Sequence, residues 1–197
     1  MKKQYKDKIQ SIGYREKTSY GGKDMIEAIR KRKSIREFDD KEIERKKIDK
    51  VLRAAMQAPS GMNRQPWEFV VVNDKDILLE MKKYSVGSRA LDTAPMAIVI
   101  LNREEIKRRD MGISLLSSQD LGACTENLWL QAVEEGLGAC WMGVIPGSEG
   151  QRILSTVLEL PNNVTPYAVI AIGYPAEEAD IEPVDRYDKT RVHYNKY

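Results

Sequence analysis

Arg32, Ser34 and Arg36 occupy alternate positions in the stretch RKRKSIREF, residues 30–38, which places five cations in seven residues. In an extended segment that alternation points two guanidinium forks and a hydroxyl to the same side. A phosphomonoester suits such a set. It carries close to two negative charges and several acceptor oxygens, which Arg meets in pairs where Lys acts as a point charge. A solvated charged face and a nucleic-acid contact are the competing readings of the same run. The totals weigh against the last: Lys plus Arg number 32 against 30 for Asp plus Glu, a formal net charge of +2. No aromatic interleaves the run, and no whole-chain field gathers polyanions. Any anion site in this chain is therefore local.

A second constellation lies in APSGMNRQPWEFVVV, residues 58–72. Pro59 stops a helix and Pro66-Trp67 leads into a buried strand, so the residues between form a tight polar loop held by hydrophobic anchors. Ser60, Asn63 and Gln65 offer hydrogen bonds to a heteroaromatic ring, while Pro59, Gly61 and Met62 let a flat surface approach closely. Asn63 and Gln65 could equally do no more than cap and brace the turn. Cys124 and Cys140 are too far apart for a redox pair and too few for a disulfide framework, and His193 is distant from both. Reduced core thiols are expected, with neither a metal site nor a Cys–His nucleophile pair. His193 in its polar tail and Trp141 on a short strand read as structural residues.

These residues need a scaffold, and 197 residues at 42% apolar and 31% charged composition supply one domain with a sizeable core. The N-terminal MKKQYKDKIQSIGYREKTSYGGKD has no apolar segment of a secretory leader, and the chain has no run long enough to span a membrane, so a cytoplasmic protein is expected. The paired glycines of YGGKD mark a joint between an extension of unknown role, residues 1–23, and a single domain, residues 24–197. Asp24 with Glu27 has capping-box spacing for a first helix. A second helix is predicted over residues 40–58, where Ile48, Val51, Leu52, Ala55 and Met56 recur at helical spacing. Strands are predicted at 67–73 and 95–101, with a short helix around Ile77–Met81 between them. Residues 102–117 have no clean period and read as a surface segment that could hold a lid. The helix predicted at 119–135 has an apolar face wide enough for burial on more than one side. A short strand within 136–144, a helix over 149–158 and an interior strand over 167–175 follow, the last nearly continuous in apolar residues. The tail DRYDKTRVHYNKY has no core of its own and must rest on something else, such as a second subunit.

RKSIREF, APSGMNRQPWEFVVV, QDLGACTENLWLQAVEEGLGACWMGV and RYDKTRVHYNKY, in that order and at compatible spacing, resemble the successive signatures of the nitroreductase-like FMN-dependent oxidoreductases. The resemblance runs from about Asp24 to the C-terminus, and Lys33 stands where many members have a second Arg. It implies an α+β fold with a nitroreductase-like mixed, mostly antiparallel sheet flanked by helices. It also implies an intertwined homodimer, built on the 119–135 helix, with FMN in the subunit interface. Arg32, Ser34 and Arg36, assisted by Lys33 and joined by Arg186 from the tail, would hold the phosphate and ribityl chain. Pro59, Ser60, Gly61 and Met62 would be offered by the other subunit, with Asn63 and Gln65 bracing that loop or touching the cofactor. Met142 and Gly143 would lie against the isoalloxazine near N5, and Arg36 near its N1/O2 edge. The activity implied is ping-pong: NADH or NADPH reduces the flavin, and a nitroaromatic, a quinone or a similar small molecule takes the electrons. The alternatives are a flavin-dependent dehalogenase of the same fold, an enzyme that cleaves flavin itself, and an FMN-binding store or sensor without turnover. Deiodinases of this type place a threonine hydroxyl near N5, which ACWMGV lacks.

Overall fold

The apolar run near the C-terminal end becomes the strand on which the fold is organised. In the computed structural model of the chain, residues 25–103, 116–179 and 181–197 are described. Strand β4, Val164–Gly173, lies between β2, Met96–Arg103, and β3, Gly138–Gly143, while β1, Trp67–Val72, pairs with the far side of β2. The order is β1-β2-β4-β3 with every neighbouring pair antiparallel. Side chains of a strand alternate between faces, so a strand apolar at every position needs cover on both. Val169 and Ala171 of β4 face one core; Ala168, Ile170 and Ile172 face the other.

Helices among the described residues supply that cover. α1 is Glu27–Lys31, α2 Arg45–Ala55, α3 Lys75–Met81, α4 Ser117–Glu134 and α5 Glu149–Val157. Ile48, Val51 and Ala55 of α2 meet Leu121, Cys124, Leu128 and Ala132 of α4 on one face of the sheet. Leu78 and Met81 of α3, Leu154 of α5 and the turns at Tyr84 and Leu91 fill the other. Side-chain caps start two of these helices: Asp74 accepts from the amides of Asp76 and Ile77, and Ser148 accepts from that of Gln151. α4 stops at Gly136, whose φ of 74° lets the Leu137 amide turn back to the Ala132 carbonyl at 2.8 Å.

The α+β architecture predicted from the sequence is present, with differences at element ends. The helix expected to begin at Asp40 begins at Arg45. Residues 38–44 are instead drawn out along the sheet, because Phe38 bridges Pro175, the Asp39 amide donates to the Tyr174 carbonyl and Ile43 is buried. The Tyr174 hydroxyl completes the tie by donating to the Glu44 carboxylate at 2.5 Å. At its other end α2 stops at Ala55 and passes through a turn to Pro59. β4 starts at Val164, three residues before the predicted start, with Pro166 inside it. The β2 register shifts there, Ile100 facing Ala168 and Leu101 facing Pro166, and the β3 ladder ends at Ala168, so proline's missing N–H falls where β4 has one neighbour. Of the surface segment expected at 102–117, residues 102 and 103 belong to β2 and Ser117 opens α4, while 104–115 lie outside the described residues. So do the 1–23 extension and the Asp24 cap. Among the described residues no helix is long and apolar enough to cross a membrane.

One parallel element breaks the antiparallel pattern. Ser34 forms a parallel bridge with Ala139 on the free edge of β3, and the Ile35 amide donates to the Ala139 carbonyl at 2.9 Å. The basic stretch is thereby laid along the sheet edge.

Candidate functional site: a basic sheet edge and a strained loop

Ile35 fixes the orientation of the basic stretch. Its side chain turns into the core at 5% exposure, so Arg36 and Glu37 beside it face solvent. Gly138 on β3 makes room: a Cβ there would stand 2.8 Å from the Ile35 side chain. Because the stretch and β3 run parallel, Arg32 precedes the Ser34 bridge, and Arg36 follows it in the direction of Met142 and Gly143. Gly143 lies four residues beyond Ala139, roughly 13 Å along an extended strand.

Each cation on this edge has a defined setting. The Arg32 guanidinium lies 4.4 Å from the centre of the Trp129 ring, and its Nε is 3.7 Å from the Glu126 carboxylate, both partners being on α4. Stacking on an aromatic face orients a guanidinium while leaving its N–H groups at the rim. Lys33 Nζ donates to the Glu182 carbonyl at 3.4 Å, where the tail begins. Arg36 Nη1 donates to the Ser34 carbonyl at 3.3 Å. Its charge reaches Cys140, whose thiol is pushed up by burial and partly drawn back by the Arg36 guanidinium. Ser34 is half-buried beside Ala139. Met142 is buried, whereas Gly143 is exposed, and a Cβ on Gly143 would meet nothing within 4 Å. That open backbone at the end of β3 is a place where a flat group can approach.

The loop predicted from APSGMNRQP is the most constrained backbone in the described chain. Met62, Asn63 and Gln65 have φ values of 57°, 53° and 50°, all in the left-handed region. Non-glycine residues held there cost about 1–3 kcal/mol each and persist where their surroundings enforce them. Ser60 accepts from the Gln65 amide through Oγ at 3.0 Å and from the Asn63 amide through its carbonyl at 3.0 Å. Gln65 Nε2 donates to Asn63 Oδ1 at 2.8 Å. Asn63 and Gln65 thus do brace the turn, and both remain exposed together with Met62, which is 68% exposed. Pro59 is exposed, and Ser60 and Gly61 are half-buried.

The structure brings Arg32, Lys33, Ser34 and Arg36 together on the β3 edge that ends at Met142 and Gly143, and gathers Pro59 to Gln65 into one loop. Arg186 is exposed on the tail, four residues after Glu182. Trp141 is part of a packed aromatic row, with Trp129 at 6.5 Å and Tyr167 at 6.2 Å, and His193 stacks on Tyr197 at 4.2 Å. Cys124 and Cys140 are buried free thiols, that of Cys124 pushed up to about 12 by desolvation. No cluster of potential metal ligands occurs among the described residues.

The Nitroreductase family model matches residues 29–88 and 82–174, which contain the basic edge, the strained loop and β3. The chain belongs to the nitroreductase family. A curated family relative from Archaeoglobus fulgidus, provisionally named an NADH dehydrogenase/NAD(P)H nitroreductase, is 36% identical over 177 residues, spanning 88% of this chain and 99% of its own. A Clostridium acetobutylicum crystal structure, provisionally described as an NADH oxidase, is 41% identical with a TM-score of 0.79, over 86% of this chain and 99% of that one. The FMN-dependent nitroreductase of Clostridium difficile is 33% identical with a TM-score of 0.76, over 88% and 100% of the two chains.

Three residues beside this candidate site were given no part in the sequence reading. Asp120 on α4 accepts from the Gly61 amide through Oδ1 at 2.9 Å and from Arg64 Nη2 through Oδ2 at 2.9 Å. Arg64 Nε also donates to the Gly61 carbonyl at 3.2 Å. Both side chains are nearly buried, 10% and 7% exposed. Arg64 is visible in the loop motif, but nothing local to QDLG marks Asp120 as its partner. Glu126, the carboxylate beside Arg32, was likewise unmarked.

Proposed function

We propose that the chain is an FMN-dependent NAD(P)H oxidoreductase acting on a small oxidised acceptor, such as a nitroaromatic or a quinone, by ping-pong transfer. The observation that carries this reading is the order of groups along one sheet edge. Two guanidiniums and a hydroxyl line the segment beside β3, and the strand ends on a glycine whose outer face is open. A ligand with an anionic end and a flat end fits that order, and the family match supports FMN as that ligand.

FMN, when bound, supplies the redox chemistry, accepting hydride at N5 and returning two electrons to the acceptor. The chain's own residues place and polarise it. Arg32, stacked on Trp129, would grip the phosphate with Ser34 and Lys33, and Arg186 would join them as the tail folds back. Arg36, further along toward Gly143, would face the N1/O2 edge and stabilise negative charge growing there. Met142 would underlie the ring, and Gly143 would leave its N5 side free for the nicotinamide and then the acceptor. No side chain on this edge is required as a proton donor, so water supplies the remaining protons. The absence of a threonine from residues 138–143 supports hydride transfer over dehalogenation.

The same reading makes the protein a homodimer in which the loop of one chain, Pro59 to Met62 with Asn63 and Gln65, covers the flavin of the other. Exposed apolar side chains support it: Met25, Ile26 and Ile29 at α1, Met62 on the loop, and Ile181, Val184, Tyr187, Tyr194 and Tyr197 on the tail. An apolar set of that extent is the kind a partner surface covers. The test is a visible spectrum of purified protein with FMN, followed by anaerobic addition of NADH and of NADPH. Bleaching of a bound flavin spectrum is expected. A bound flavin that neither donor bleaches would indicate a store or sensor instead.

A further inference from the structure

Among the described residues the Arg64–Asp120 pair is a nearly buried ion pair beside the site, and the cofactor reading gives it no task. Its place in the loop is specific. Met62, Asn63 and Gln65 project outward from left-handed backbone, and Arg64, between Asn63 and Gln65, is the residue that turns inward. Its guanidinium spans from the Gly61 carbonyl to Asp120 Oδ2, while Asp120 Oδ1 takes the Gly61 amide. One carboxylate in the first turn of an eighteen-residue helix therefore holds both arms of the loop. Leu116, just before α4, backs the loop at Gly61, its Cδ1 3.4 Å from where a Cβ would stand.

Stability alone is a weak reason for such a pair, because an apolar pair of similar volume often serves a fold as well or better. A buried pair with fixed donors has a second use, which is to specify one loop conformation out of several. We infer that Asp120 and Arg64 are positioning residues. They lock the 60–65 loop in the left-handed conformation that presents Met62, Asn63 and Gln65 to the flavin, so that their contribution lies in cofactor affinity rather than in the fold. This rests on the FMN reading.

The experiment compares the wild type with Arg64→Met/Asp120→Leu and with Arg64→Lys, each as the full chain. Three quantities are read: the FMN dissociation constant by quenching of flavin fluorescence, the melting midpoint, and hydrogen exchange of the Gly61 and Gln65 amides without flavin. The apolar double variant is expected to melt within a few degrees of the wild type, to bind FMN about tenfold or more weakly, and to exchange both amides faster. Arg64→Lys keeps the charge but loses the fork, and is expected to shift FMN affinity in the same direction with no change in melting. Should the double variant fail to fold, Arg64→Lys decides alone. Wild-type FMN affinity in a folded variant overturns the inference and leaves the cofactor reading standing. A wild type that binds no FMN overturns the cofactor reading and this inference with it, while the exchange rates still report whether Asp120 holds the loop.

Discussion

Arg32 and Arg36 lie on either side of the Ser34 bridge and have different tasks in the proposed function, which makes them separable by substitution. A charge-assisted hydrogen bond to phosphate contributes about 1.5–3 kcal/mol. Arg32→Ala is therefore expected to weaken FMN about 10–100-fold while changing riboflavin, which lacks the phosphate, far less. Equal losses for both ligands by fluorescence titration would contradict the assignment. Gly143→Leu adds a side chain where nothing stands within 4 Å, so it should leave the melting midpoint unchanged and abolish flavin binding; a folded Gly143→Leu protein with intact FMN affinity would move the ring elsewhere. The thiols make a third prediction. Cys124 rises from an ordinary 9.0 to about 12 through burial, and Cys140 and Tyr84 are raised for the same first cause. Above pH 9 the unfolded chain releases the Cys124 proton and the folded chain keeps it, so stability is full below pH 9 and falls as pH rises toward 12. Denaturation midpoints measured across that window should decline, and the loss should shrink in Cys124→Ala. At this scale the alternation of Arg32, Ser34 and Arg36 was legible because it is local. The Arg64–Asp120 bond joins residues 56 apart, and a sequence carries no mark of such a partnership.

Elements were legible where a period or an unbroken apolar run declared them. Helix α4 and strand β4 emerged close to their predicted spans because their burial is dictated by their own composition. The start of α2 did not, since residues 40–44 could have been helical and are held extended by Tyr174, a residue 130 positions from Glu44. Pro166 hid the first residues of β4 for a related reason: whether proline is tolerated in a strand depends on the neighbour's register. The coupling of elements to the site can be tested at Gly138, where β3 meets Ile35. Gly138→Ala would force its Cβ to 2.8 Å from that side chain. It is expected to cost about 1–3 kcal/mol of stability and to weaken FMN, because the basic segment must shift to accommodate it. Gly136→Ala, strained by its φ of 74° but with nothing within 4 Å of the added Cβ, should lower the melting midpoint and leave FMN affinity intact. Thermal melts and flavin titrations of the pair distinguish a strained site from a merely weakened fold.

For the whole molecule, a net charge of +2 spread over 197 residues means that any anion binding must be built locally, and the basic stretch is laid along the β3 edge. The two-faced sheet supplies a rigid mount for that edge. The tail, residues 181–197, is exposed throughout in a single chain although it carries several large apolar side chains. Its destination is the feature a single chain's sequence could least convey, since in the proposed dimer the surface that covers it would belong to the partner. Removing residues 181–197 is expected to lower the dimer fraction in sedimentation velocity and weaken FMN together; loss of neither would place Arg186 outside the site. The most direct measurement of the central claim is an equilibrium titration of the full-length protein with FMN, read by flavin fluorescence and visible absorption and repeated anaerobically with NADH and NADPH. The account predicts saturable binding of about one FMN per chain and bleaching by at least one donor. Protein that leaves FMN free at every concentration, with unchanged fluorescence and no donor-dependent bleaching, would contradict it.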